Sequence, residues 1–186
     1  MDHVKLDLYV KNLNRCTDGF DVCLPANMKA WHFDRVVHDH CPSDSKPSSM
    51  DCFMLVKDAV VFLEFKDSLM SDKSFDIGES FFNKALDSVL IYRRYFANAE
   101  GFGPHKDIKL WFIVKDDPIM KESDRIKNKN RDRSRRVEKL DSLASKKVAL
   151  YGGKGQEGLY FKEYRIFGKS RFEKIVKDLS ILDPKQ

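Results

Sequence analysis

The 186-residue sequence has no apolar run approaching the roughly 20 residues needed to cross a bilayer, so no membrane-spanning helix is expected. Its opening, MDHVKLDLYV, lacks the charged start and long apolar stretch of a secretory signal, and a cytoplasmic protein with no membrane partner is the expectation. Cysteine is scarce. Cys16, Cys23, Cys41 and Cys52 show no paired metal spacing, and Cys52 sits inside an apolar run, which fits reduced thiols inside a cell. A nucleotide-binding phosphate loop is also missing: GGKGQEG (152–158) lacks the Gly-x-x-x-x-Gly-Lys-Ser/Thr spacing between a strand and a helix, and reads as a flexible loop or hairpin turn. Neither an internal repeat nor a linker divides the chain, so a single domain over 1–186 is expected, long enough to bury a real core.

What is present is apolar bulk and charge. Hydrophobic residues make up 42%, and fourteen Phe supply large side chains for a core. Charged residues make up 34%, above the usual share, so the surface must be densely charged. The net charge is +5, a mild excess that acquires meaning only if it is segregated. It is: residues 121–147 hold eleven Lys or Arg against five acids, a local net of +6 that exceeds the charge of the whole chain.

Strand and helix periodicity set the order of elements. Residues 4–10 alternate apolar and polar and suggest a strand, followed by a turn at 17–19 and a short strand-like FDVCLP. Between Asn27 and Asp39 the pattern fits either a helix carrying Trp31, Val36 and Val37 or a strand in AWHFDRVV, and CPSDSKPSS (41–49) is a loop. CFMLV (52–56) and AVVFLEF (59–65), parted by Lys57-Asp58, read as a hairpin apolar on both faces and therefore central. Ile77, Phe81, Phe82, Ala85, Leu86, Val89, Leu90 and Phe96 recur at helical spacing over 76–96, and IKLWFIV (108–114) is a further buried strand, reached by a right-handed crossover. LYFKEYRIF and a short helix at about 172–179 close the chain. The expected fold is α/β, a mixed central β-sheet flanked by helices, with its core at about 51–114.

The hairpin makes a geometric prediction. With Lys57-Asp58 as the turn, Asp51 faces Glu64 across the strands, which puts their Cβ atoms about 4.5–5.5 Å apart on one face. Lys66, two residues beyond Glu64, projects from that same face. Two carboxylates this close repel unless a cation or a proton lies between them. A divalent cation such as Mg²⁺ resolves the repulsion, leaves coordination positions for water and phosphate oxygens, and lowers the pKa of water. Lys66 could orient that water or offset charge on phosphorus.

DCFMLVKDAVVFLEFK, with an Asp opening one strand and Glu-x-Lys ending the next, resembles the core motif of the PD-(D/E)XK nuclease superfamily, over about Asp51 to Val114. The resemblance implies a restriction-endonuclease-like core and a Mg²⁺- or Mn²⁺-dependent nuclease. It also implies Asp51 and Glu64 as metal ligands, the Phe65 carbonyl as a further ligand, and Lys66 as the catalytic lysine. Met50 stands where the motif's name has Pro, and the helix and strand expected before Asp51 are not readable. Both Glu64 and Lys66 are expected at the solvent-accessible end of the hairpin.

The remaining candidates are weaker. Some superfamily members draw a further polar residue from the helix after the motif, which brings in Glu79, Asn83 and Lys84; each also suits a solvated helix. Asp34 is a candidate third acid. His32, His38, His40 and Cys41 cluster without a recognisable zinc spacing and read as solvated loop residues, with His38 the one that some branches would add to a metal site. Arg125, Lys127, Lys129, Arg131, Arg133, Arg135 and Arg136 form the expected contact with nucleic acid, DNA or RNA, or else a solvated surface. Competing functions are a non-catalytic nucleic-acid-binding protein and an interaction subunit of a defence or toxin system, and a homodimer or protein partner is compatible with either.

Overall fold

Among the described residues six strands form one mixed sheet: β1 (Val10–Asn12), β2 (Lys29–Trp31), β3 (Cys52–Val56), β4 (Ala59–Lys66), β5 (Asp107–Val114) and β6 (Glu163–Gly168), lying side by side in chain order. Helix α1 (Phe33–His40) joins β2 to β3, α2 (Ser80–Tyr95) lies between β4 and β5, and α3 (Lys169–Lys177) follows β6. The architecture is α/β. In this computed structural model the described residues are 6–17, 20, 22–25, 27–41, 47–57, 59–66, 80–96, 107–115, 135, 137–138, 141–142 and 161–179. Neighbouring strands from β1 to β4 are antiparallel, and β4, β5 and β6 run parallel. The carboxyl ends of β4, β5 and β6 therefore lie along one edge of the sheet. No described helix is long and apolar enough to cross a membrane.

The central hairpin forms because its β-branched and aromatic residues suit a pleated surface buried on both sides. Alternation sends Phe53, Leu55, Val60 and Phe62 into one core layer with residues of α1 and α2, and Cys52, Met54, Val61 and Leu63 into a second layer with Phe172 and Val176 of α3. In the first layer Phe33, Phe53, Phe62, Tyr92 and Phe96 pack with ring centroids 5.2–5.9 Å apart. The same layer carries Asp51, Glu64 and Lys66 by strand parity.

Two contacts fix the helices over the start of β3. The N–H groups of Phe33 and Asp34, at the beginning of α1, donate to the Asp51 carbonyl at 3.1 and 3.4 Å. Fully buried Ser88 of α2 accepts from the Met50 N–H at 2.9 Å and donates to the Lys84 carbonyl at 2.8 Å. At the opposite edge, Asp141 accepts the Ile166 N–H at 2.8 Å and a fork of Arg165 bonds at 2.7–3.0 Å, so helical residue Asp141 occupies the outer side of β6.

The N-terminal third departs from expectation. In place of a strand over 4–10 there is a 3₁₀ turn (Leu6–Tyr9) and then the short β1, while Phe20 and residues 22–25 of FDVCLP are not in a strand. Apolar residues there, including Phe20 and Val22, are buried without joining the ladder. Both readings of Asn27–Asp39 hold in part, since AW ends β2 and FDRVV begins α1. Helix α2 is described from Ser80, and its Leu90 is 49% exposed where the helical pattern placed it in the core. The buried face instead runs through Ala85, Ser88, Val89, Tyr92 and Phe96. The 152–158 loop, Ile77 and the turn at 101–104 lie outside the described residues.

Candidate active site

Cys52 pairs with Leu63 and Val56 with Ala59, so the hairpin register carried one step further opposes Asp51 to Glu64, as expected from the turn. Asp51 sits just before β3, and its Oδ2 accepts the Phe65 backbone N–H at 2.7 Å. That bond ties the acid to the strand carrying Glu64. Desolvation, then the nearby Glu64 charge, pushes the Asp51 carboxyl up to about 7, against the lowering effect of the Phe65 N–H and the Lys84 and Lys66 charges.

Glu64 is completely buried, which corrects the expectation of an accessible strand end: α2 covers β4 at this point. Its Oε1 meets two ammonium groups, Lys66 Nζ and Lys84 Nζ, each at 2.7 Å. Its Oε2 has no hydrogen-bond partner among the described residues. Lys84 is thus the member of the helix trio that reaches the acids; Asn83 is exposed, and Glu79 lies outside the described residues. The Lys66 side chain keeps 41% of its surface exposed, against 20% for Lys84. Burial alone would lower the Lys66 pKa, but the Glu64 hydrogen bond and charge, with Asp51, raise it overall. These partners favour the ammonium form of Lys66. Tyr164 on β6 also senses this charge: burial, then Glu64, pushes its phenol up.

No protein-family model, curated protein or solved structure matches this chain.

A divalent cation fits the donor set on two observations. A buried carboxylate oxygen lacks a partner, and an opposed carboxyl is pushed up to about 7 by burial and then by the Glu64 charge, both of which a bound cation would offset. Among the described residues no group of three His, Cys, Asp or Glu side chains converges as a ready-made cage, and the described side-chain donors for an ion here are the two carboxylates. Asp34 is occupied by the Ser49 hydroxyl at 2.7 Å, with its backbone on the Asp51 carbonyl.

The histidines are engaged elsewhere. His38 Nδ1 lies 3.0 Å from Asp39 Oδ1, His40 Nε2 lies 3.1 Å from the Tyr9 hydroxyl, and His32 Nδ1 lies 3.4 Å from Lys11 Nζ. The His38 hydrogen bond is the main cause holding the Asp39 carboxyl below the usual range. Of the basic run, Arg135 is an exposed helical residue; Arg125, Lys127, Lys129, Arg131, Arg133 and Arg136 lie outside the described residues. All four cysteines are free thiols. Sequence reasoning missed Ser88 and Tyr164, since a lone Ser or Tyr in an apolar pattern carries no signal of its partner.

Proposed function

We propose that this protein is a Mg²⁺- or Mn²⁺-dependent nuclease that hydrolyses phosphodiester bonds of DNA or RNA, with Asp51, Glu64 and Lys66 at its centre. The observation that supports this most is the apposition of a buried carboxylate with an unpartnered oxygen, Glu64, to an acid pushed up to about 7, Asp51, beside a half-exposed lysine. A divalent cation held by these carboxylates, with the Phe65 carbonyl as a further ligand, would polarise the phosphoryl group and favour deprotonation of an attacking water.

The protein's own residues do the remaining work. Asp51 and Glu64 together carry two negative charges when ionised, and Lys66 and Lys84 carry two positive ones. Adding a dication leaves the cluster positive, which attracts a phosphodiester and stabilises the charge that builds on its oxygens. Lys66, exposed and firmly protonated, is the side chain able to reach a phosphate oxygen. Lys84, more enclosed, holds the Glu64 carboxylate in place from α2. This resembles the PD-(D/E)XK arrangement that the motif suggests.

A second reading, a nucleic-acid-binding protein without catalysis, draws on the two ammonium groups already neutralising Glu64 Oε1. Incubating the purified protein with labelled DNA and RNA, in Mg²⁺, Mn²⁺ or EDTA, separates the two. Metal-dependent cleavage that Glu64→Gln abolishes supports the nuclease. Binding without cleavage in every metal supports the second reading.

A further inference from the structure

At the carboxyl edge of the parallel strands, Lys66 pairs with Val114 and Val114 with Gly168. Neighbouring strands lie about 4.8 Å apart, so Gly168 is roughly 10 Å across the sheet from Lys66. A cavity of about 280 Å³ opens there, with Ile166 and Gly168 of β6, Ser170, Arg171 and Lys174 of α3, and Glu138 from the helical stretch among its lining residues. Nothing in the proposed chemistry uses it.

Its charge is what makes it informative. Arg171 and Lys174 are three residues apart and so share one face of α3, and Lys177 continues that stripe; all three are exposed. Arg171 lies 5.6 Å over the Phe167 ring, which orients its guanidinium, and neither Arg171 nor Lys174 forms an ion pair with a described acid. The far wall comes from the stretch that ends the basic run, whose Arg135 is exposed three residues before Glu138.

We propose that the cavity between α3 and Val137–Glu138 is a phosphate-binding subsite, in which Arg171 and Lys174 hold the nucleic-acid backbone at the outer strand β6, away from the Asp51–Glu64–Lys66 centre. It rests on the nucleic-acid substrate of the proposed function and adds a backbone contact outside the carboxylate centre. Glu138, the acid among the described lining residues, opposes this binding.

The test uses the full chain, a labelled single strand and a labelled duplex, with binding followed by anisotropy over a salt series in EDTA and in Ca²⁺, and cleavage measured in Mg²⁺ and Mn²⁺. Loss of two phosphate contacts in Arg171→Gln/Lys174→Gln should weaken binding about tenfold at low salt and flatten the slope of log affinity against log salt by roughly 1.4 to 1.8. Glu138→Gln should tighten binding about two- to threefold by removing a repelling charge. These side chains are exposed, so thermal midpoints should stay near wild type. If the wild type binds and cleaves while all the variants match its affinity and slope, the subsite is overturned and the nuclease reading stands. If the wild type neither binds nor cleaves either substrate, the nuclease reading fails and the subsite fails with it.

Discussion

Glu64 concentrates the energetic tension of the molecule in one side chain: fully buried, charged, and balanced by two lysines that come from different elements. Glu64→Ala leaves a cavity and removes the carboxylate that both ammonium groups meet, and should cost roughly 3 kcal/mol, the low end for breaking a buried pair because Lys66 still reaches water and Asp51 stays nearby. Glu64→Gln keeps the volume and should cost less; thermal melts of the two variants check the order. Asp51 gives a pH dependence. Its folded carboxyl keeps a proton up to about pH 7, whereas an unfolded one releases it near about pH 4. The folded state binds more protons in that window, so metal-free stability is highest below it and falls as pH rises through it. Melts in EDTA from about pH 5 to 8 should show this decline in wild type and a flatter profile in Asp51→Asn. The pairing of Asp51 with Glu64 was legible from a two-residue turn and strand parity. The burial of Glu64 was not, because the covering helix approaches from 20 residues away and its Lys84 looks like any surface lysine in sequence.

Helix α2 positions Lys84, and Ser88 positions α2. Ser88→Ala removes the acceptor for the buried Met50 N–H and should cost about 1–3 kcal/mol. The same change should reduce cleavage through loss of alignment between Lys84 and Glu64, with less effect on nucleic-acid affinity. A variant with unchanged stability and rate would show that α2 is held by its apolar face alone. The hairpin, α2 and β5 were readable because long apolar runs and strong periodicity leave few alternatives. The N-terminal elements were not. β1 and β2 have three residues each, too few for alternation to declare itself, and α1 begins directly after β2 with His32 at its N-cap making no side-chain cap bond. Without Gly, Pro or a capping Ser, Thr, Asp or Asn between them, strand and helix merge into one ambiguous run.

Charge in the chain as a whole is arranged so that one segment, 121–147, carries more positive excess than the entire protein. Replacing Arg131, Arg133, Arg135 and Arg136 with Gln should weaken nucleic-acid binding and flatten its salt dependence, while the cleavage rate at saturating substrate changes much less. Unchanged affinity and slope would make the run a solvated surface. Metal and fold are coupled as well: an ion that binds only the folded state raises the melting midpoint once its concentration exceeds its dissociation constant. Mn²⁺ should raise the midpoint of wild type and not of Asp51→Asn; an equal rise in both would place the ion elsewhere.

Cleavage itself decides most. Purified protein is incubated with labelled DNA and with labelled RNA in Mg²⁺, Mn²⁺ and EDTA, beside Glu64→Gln and Lys66→Ala. The expected result is cleavage of at least one substrate in Mg²⁺ or Mn²⁺, none in EDTA, and loss of activity in both variants while each still melts cooperatively above the assay temperature. Cleavage by Glu64→Gln and Lys66→Ala at the wild-type rate, or no cleavage by wild type in either metal, would contradict a nuclease centred on these residues.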